Sequence, residues 1–473
     1  MQEKGRFTLG RRDFLRAAGI GAGAAAVGVT VKGAQASAAA AAPAAAPSFE
    51  ATKFADPAGR LQRPWWVKTV DVPTTEIDWE MMQRYNEGNT VRKGMPGYVG
   101  ADEVDRYTEV GKKNELQRML DNVDGYTLKD QALAAAHGAF KPESRSFIRI
   151  ATKTPEERGV PKWTGTPEEA SRIIRAAMRH FGAGTVAFLE LDDNTRKLVY
   201  GNDPDGKELV FTDDPVASET ETQRFIPNSC KYVIVYTMQM SQESMRRSPT
   251  ITGSQTTTLA YRRLEEVQRS TQDFLTGLGY QGLGESSTNA LGIAPAFGVL
   301  AGLGEMSRLN RVISPEYGPM MRISKILTDL PVATDKPIDA GIMEFCKHCK
   351  KCAEACPSEA LSFDDEPTWE VRGGWNNPGH KAYFEDATKC MTYWREVAGS
   401  NCGICFSVCP FAKKDKAWIH EWVKMGTSVA PFADSFFRSM DDAFGYGVKA
   451  SSEDWWSLDL PEYGVDSNQS VTG

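Results

Sequence analysis

The chain has 473 residues, 41% hydrophobic and 25% charged, with a net charge of −7. These are ordinary values for a globular protein, and the length leaves room for two or three domains with a large core. The acidic balance argues against nucleic acid as a partner.

The chain opens on a targeting segment. Arg11-Arg12-Asp13-Phe14-Leu15-Arg16 is a twin-arginine pattern, followed by a weakly hydrophobic Gly/Ala run from Ala17 to Val31 and by Ala34-Gln35-Ala36, an A-x-A cleavage site. Residues 1–36 therefore read as a twin-arginine signal peptide. The run is too short and too glycine-rich to span a bilayer comfortably. Its Gly19-x-Gly21-x-Gly23 stretch mimics a dinucleotide fingerprint but lacks the preceding strand. Residues 1–36 hold six Lys/Arg and two Asp/Glu, so their removal takes the net charge from −7 to −11. Export by this route suits a protein that folds around cofactors first, and activity is expected outside the cytoplasmic membrane. No later segment has 18 apolar residues in a row; Leu291 to Leu303 is interrupted by Pro295 and several glycines.

Residues 37–60 form an Ala/Pro-rich linker, and ordered structure is expected from Pro64-Trp65-Trp66-Val67. Residues 76–150 mix charge with short helical patterns. Thr166-Pro167-Glu168-Glu169 opens a helix: Thr166 is the N-cap, Pro167 the first helical residue, and Glu169 closes a capping box. Ala170, Ile173, Ile174, Ala177, Met178 and Phe181 follow at helical spacing, and Gly182 and Gly184 stop the helix. Thr185 to Leu191 and Lys231 to Tyr236 read as strands, the second buried, which points to an α/β or α+β sandwich.

Thr256-Thr257-Thr258 can cap a further helix from about Leu259 to Leu278, with a buried stripe of Ala260, Leu264, Val267, Thr271, Phe274 and Leu278. Tyr261 falls in its first turn, just off that stripe. Gly-rich loops follow over 279–284 and 291–304; they are either turns or places where backbone comes close to a flat ligand.

The densest chemistry lies between Cys346 and Pro410. Cys346, Cys349, Cys352 and Cys356-Pro357 have the C-x2-C-x2-C-x3-C-P spacing of a bacterial ferredoxin. In that arrangement three cysteines hold one [4Fe–4S] cluster and the fourth ligates another. The partner motif is Cys390, then Cys402, Cys405 and Cys409-Pro410. The assignment is a first cluster on Cys346, Cys349, Cys352 and Cys409, and a second on Cys390, Cys402, Cys405 and Cys356. Zinc rarely needs the third close cysteine and the Cys-Pro, thiols this close crowd one another as disulfides, and no C-x-x-C-H haem motif occurs. Cys230 is left over, beside an apolar run, and is expected to be a buried reduced thiol.

With these motifs in place, the chain resembles the respiratory reductive dehalogenases, the corrinoid and iron–sulfur enzymes of organohalide respiration. The resemblance runs from the twin-arginine pattern to Trp455-Trp456. It is most specific over Ala301-Gly-Leu-Gly-Glu-Met-Ser-Arg308, Pro315-Glu-Tyr-Gly-Pro-Met-Met-Arg322, Leu330-Pro331 and Lys336-Pro-Ile-Asp339, with Pro64-Trp-Trp66 and Lys162-Trp-Thr-Gly-Thr-Pro167 upstream. It implies an α+β fold: a nitroreductase-like cobamide-binding core over 61–335, a ferredoxin-like two-cluster unit over 336–425, and a tail over 426–473 packed on the core. It further implies a base-off corrinoid with no His ligand; His348, inside the cluster loop, is read as a surface or outer-sphere residue.

Family members line their halide pocket with a Tyr, an Asn and an Arg. Local match places these at Tyr261, Asn289 and Arg322. Tyr261 would be the proton donor, Arg322 a fixed positive charge favouring phenolate, and Asn289 a hydrogen-bonding group. The reaction implied is replacement of halogen by hydrogen on a small organohalide, chlorinated ethenes first and haloaromatics next. Expected partners are a small integral membrane anchor protein and a respiratory electron donor, on the outer face of the cytoplasmic membrane. Two other readings compete: an epoxyqueuosine-reductase-like corrinoid enzyme acting on tRNA, and a non-catalytic electron-transfer subunit. The export signal and acidity oppose the first. The more than 270 residues before Cys346 oppose the second.

Overall fold

The computed structural model describes residues 61, 63–139, 145–412, 424–426, 428, 434–443 and 445–465. The twin-arginine pattern and the Ala/Pro-rich linker lie outside these residues. The organising element is a four-stranded antiparallel sheet in the spatial order 186–190, 232–239, 321–328, 282–283. The sheet is antiparallel throughout, so the sandwich is of α+β type.

The central strand Tyr232–Gln239 has apolar side chains on both faces, and each face meets a different core. Ile234, Tyr236 and Met238 join Ala260, Leu264 and Val267 of the long helix, and Ile174 and Met178 of the helix Pro167–His180. Val233 and Val235 point the other way, toward Phe297, Leu300 and Leu327. Side-chain alternation along a strand buried on both sides explains the continuous apolar run in the sequence. A smaller three-stranded sheet, Glu208–Thr212, Gln223–Pro227 and Ser218–Glu219, sits beside it.

The helix Pro167–His180 forms as expected, with both hydrogen bonds of the capping box between Thr166 and Glu169. Its fully buried Arg175 donates to the carbonyl of Val186 and pairs with Asp335 at 2.5 Å. Asp335 also accepts the amides of Leu61 and Phe188. This one carboxylate thus joins the helix, the neighbouring strand and the first described residue.

The long helix differs from its sequence reading at its start. It spans Ile251–Leu278, and the N-cap is Thr250, whose hydroxyl accepts the amide of Gly253. Thr256 and Thr257 lie inside the helix and serve tertiary partners: Thr256 accepts the Ser241 amide, and Thr257 accepts from Arg322. Tyr261 is therefore in the third turn, not the first. The buried stripe holds at Ala260, Leu264, Val267 and Thr271, while Gln268, Gln272 and Leu275 are buried as well. Gly279, at φ +93°, ends the helix in the left-handed region that glycine tolerates.

Residues 91–139, to which the sequence assigned no chemistry, form three helices: Val91–Val99, Ala101–Leu120 and Leu128–Ala139. The described part of the tail touches both the cysteine unit and the core. The helix Asp434–Ala443 sits on the helix Ile342–Cys349. The indoles of Trp455 and Trp456 donate to Ser244 and Asp130. Cys230 is fully buried, and burial pushes its thiol up to about 12. Among the described residues no helix is long and apolar enough to cross a membrane.

Replacing Asp335 with Ala removes the acceptor of three buried donors. The expected loss is about 3–5 kcal/mol, read as a lower denaturation midpoint with an unchanged denaturant slope.

Candidate functional site

The two cysteine motifs fold as a crossed pair. Cys346, Cys349, Cys352 and Cys409 line one cavity, together with Arg308, Leu309, Ile313, Phe345, Lys350, Pro410 and Phe411. Three of these thiols come from the first motif and the fourth from the end of the second, which is the donor set a cubane needs. The other four gather likewise: Cys390 and Cys405 both lie within electrostatic reach of Cys402, and Cys402 and Cys405 within reach of Cys356. None of the nine cysteines forms a disulfide. Burial, and then the neighbouring thiols, pushes Cys405 up to about 12 and Cys402 up to about 11. Ligation in such a setting must displace the thiol protons, so loading releases protons and depends on pH.

Short helices carry the ligands. Cys346 and Cys349 lie on the helix Ile342–Cys349, whose N-terminal amides at Ile342 and Met343 are met by the buried carboxylate of Glu305. Lys350, at φ +51°, then turns the chain into the next helical turn, Lys351–Glu354, which holds Cys352. Cys390 sits on the helix Ala387–Thr392, N-capped by Asp386. A π-helical turn, Tyr393–Ala398, fills the gap from Cys390 to Cys402.

That turn is held from far away in sequence. Asn114 donates to the carbonyl of Glu396 at 2.9 Å, Arg118 donates to Ala398 at 3.2 Å, and Arg106 pairs with Glu396 at 2.9 Å. Gly111 faces the Arg395 carbonyl so closely that an added Cβ would collide with it. All four belong to the helix Ala101–Leu120. No local signal in that helix announces this role.

The second constellation lies where the central sheet meets the long helix. Strand register sets Arg322 opposite Met238, so its side chain takes the long-helix face. There its Nη2 donates to Thr257 at 3.2 Å. The guanidinium carbon stands 5.1 Å from the ring centre of Tyr261 and 5.6 Å from that of Phe406, both within cation–π range. Phe406 directly follows Cys405, so the Tyr261–Arg322 pair borders the second cluster motif. Arg322 Nε is buried with no hydrogen-bond partner. The Tyr261 hydroxyl makes no hydrogen bond among the described residues, while its carbonyl accepts from Arg145 at 3.1 Å. Arg145 belongs to a buried ionic group with Glu265, Glu285 and Lys325.

The structure thus brings together Tyr261 and Arg322. Asn289 lies in the loop before Ala290, in the left-handed region at φ +65°, and makes no described hydrogen bond to either. Nothing in the sequence marks Thr257 or Phe406: Thr257 has the look of a helix cap, and only the cysteine neighbours of Phe406 carry a motif. The Gly-rich loops resolve toward packing: Gly302 and Gly304 press on the backbone of Lys336 and Ile313. His348 is half exposed, 3.8 Å from Glu344, as expected of a surface residue.

The crossed pairing has a direct test in anoxically purified protein. Cys356→Ala should remove the same cluster signal as Cys402→Ala, and Cys409→Ala the same signal as Cys349→Ala, in electron paramagnetic resonance of the reduced protein. Each variant should fall from about eight irons to about four. Matching losses for Cys356→Ala and Cys349→Ala would refute the pairing.

Comparison with known proteins places the chain in a family. The family model described as reductive dehalogenase subunit matches residues 62–332, and the 4Fe-4S double cluster binding domain matches residues 345–412. The trichloroethene reductive dehalogenase of Dehalococcoides mccartyi is 31% identical, over 98% of this chain and 99% of that protein. The tetrachloroethene reductive dehalogenase of Sulfurospirillum multivorans is 36% identical, over 65% of this chain and 63% of that protein. Among solved structures, the catabolic reductive dehalogenase NpRdhA with 3-bromo-4-hydroxybenzoic acid has the same fold, with a TM-score of 0.62 at 22% identity. It covers 83% of this chain, which spans about half of that longer one (51%). An epoxyqueuosine reductase of Lactococcus garvieae matches only 34% of this chain, at 26% identity. The chain belongs to the reductive dehalogenase family and carries its double [4Fe–4S] domain.

Proposed function

We propose that the chain is a corrinoid-dependent reductive dehalogenase that replaces halogen by hydrogen on a small organohalide, a chlorinated ethene in first place. The observation that carries this reading is the Tyr261–Arg322 pair beside the second cluster motif. Relatives named for trichloroethene and tetrachloroethene, each at least 31% identical, favour that substrate class. The limited match to an epoxyqueuosine reductase leaves the tRNA reading without comparable support.

The residues present suit such a cofactor and substrate. The orphaned Nε of Arg322 is a buried donor that a bound ligand would satisfy. A base-off corrinoid, when bound, supplies low-valent cobalt able to cleave a carbon–halogen bond. The chain's own residues then manage charge and protons. Arg322 holds a permanent positive charge against the face of Tyr261, where it stabilises negative charge left on the phenol after proton donation. Thr257 fixes one arm of the guanidinium from the long helix. The unengaged Tyr261 hydroxyl is the proton source for the carbon that loses halogen, and Asn289 serves as a further hydrogen-bonding group on the halide side. The eight cysteines would hold two [4Fe–4S] clusters, each of which would supply one electron, matching the two electrons that each dehalogenation consumes.

Residues 1–36 act as a twin-arginine signal in this reading. The folded enzyme works on the outer face of the cytoplasmic membrane, held by a small integral anchor protein and fed by the respiratory chain. The support is the Arg11-Arg12 motif with its Ala34-x-Ala36 cleavage site.

Anoxically purified protein should contain about eight irons, as two cubane clusters require, and cobalt equimolar with the chain. It should dechlorinate trichloroethene or tetrachloroethene with a low-potential dye as donor. Iron at that level with no cobalt, even after refolding with cobalamin, would leave an electron carrier and end the catalytic reading. Tyr261→Phe should keep iron and cobalt and lose about 10²–10⁴-fold in turnover, the usual worth of a positioned general acid. Unchanged turnover would remove Tyr261 from the proton-donor role.

A further inference from the structure

The turn from Ser307 to Arg311 carries two arginines three residues apart, and each faces a different group of cysteines. Hydrogen bonds from Ser307 Oγ to the Arg311 carbonyl, at 2.7 Å, and from the Asn310 amide to the Ser307 carbonyl, at 3.0 Å, close the turn; Asn310 sits at φ +51°.

Arg308 is 1% exposed and lines the cavity of Cys346, Cys349, Cys352 and Cys409. Its hydrogen bonds all go to backbone carbonyls: Nε to Cys346 at 2.9 Å, Nη1 to Ser362 and Asp364 at 2.8 and 2.7 Å, and Nη2 to Lys347 at 3.2 Å. The guanidinium lies over the Tyr383 ring at 4.1 Å. Among the described residues no carboxylate forms an ion pair with it. The Arg308 backbone amide also donates to the Cys346 sulfur. The other cation lining the cavity, Lys350, is already paired with Asp365 at 2.5 Å. Glu305, the buried carboxylate whose charge also bears on Cys346, is engaged by Thr74 and by the amides of Ala340, Ile342 and Met343.

Arg311 is arranged differently. It is paired with Glu385 at 2.6 Å. Both charges bear on Cys390 and Cys405 of the second cluster. Glu385 directly precedes Asp386, the cap of the helix that carries Cys390.

A buried guanidinium is costly unless a negative charge compensates it. Four thiolates around iron supply a negative charge beside Arg308, and that charge grows on reduction. A fixed cation close by, in a low-dielectric interior, therefore stabilises the reduced form and raises the potential. A neutralised pair at the second cluster has little net effect.

We propose that Arg308 is the resident counter-charge of the first cluster and that Glu385 cancels Arg311 at the second, so that this one turn poises the first cluster at the higher potential. The inference rests on the two-cluster assignment and is independent of the organohalide substrate.

The test is a potentiometric titration of the anoxic holoenzyme followed by electron paramagnetic resonance, with iron content measured first. Arg308→Gln should lower one couple and leave the other in place, and Arg308→Lys, which keeps the charge, should restore most of that shift. Glu385→Gln should raise the other couple. A merely structural Arg308 would lower thermal stability in both Arg308 variants without moving either potential. Unmoved couples at full iron content, or one couple moved by both Arg308→Gln and Glu385→Gln, would overturn the proposal. If Arg308→Gln fails to retain iron, Glu385→Gln decides: a raised couple supports the charge assignment, and no shift refutes it. Loss of iron in the unmodified protein would instead refute the two-cluster assignment.

Discussion

The iron–sulfur half of the molecule is organised around the exchange of Cys356 and Cys409 between the two motifs. Cys409 stands in the cavity of Cys346, Cys349 and Cys352, and Cys356 lies within reach of Cys402 and Cys405, so each loop would complete a cluster with a ligand from the other. The exchange brings the helical turns that follow Lys350 and Gly403 into contact. It also sets Phe406 against Arg322, so the cluster unit and the candidate active site share a boundary of side chains in contact.

On the other side of that boundary, strand register does the positioning. Arg322 reaches Thr257 and Tyr261 because it lies opposite Met238, on the sheet face that the long helix covers. A slip of one residue would turn the guanidinium toward the core that contains Phe297 and Leu300. The buried group of Arg145, Glu265, Glu285 and Lys325 ties the Tyr261 backbone to the same strand from behind.

The extent to which this was legible in the sequence follows from the range of the interactions. The two cysteine motifs were readable because iron imposes its spacing on neighbouring residues, and the double cluster domain matches the stretch that carries both. The capping box at Thr166 was readable because both its hydrogen bonds are local. The start of the long helix was not: Thr256 and Thr257 look like caps, but their hydroxyls answer to Ser241 and Arg322, which are distant in sequence. The roles of Tyr261 and Arg322 came from family resemblance, since no periodicity marks either side chain. Arg308 stood within a recognised segment, yet its value depends on four carbonyls from residues 346 to 364.

The grip of the helix Ala101–Leu120 on the π-helical turn bears on how the molecule is assembled. Asn114 and Glu396 are 282 positions apart, and Gly111 abuts the turn so closely that no side chain fits between them. Contacts of such separation are slow to form, because a large loop must close before they contribute. Until the early helix docks, the span between Cys390 and Cys402 lacks its wall. A cluster held between Cys390 and Cys402 would thus lean on a wall supplied from far earlier in the chain, and a fault in the helix Ala101–Leu120 would be felt at the iron.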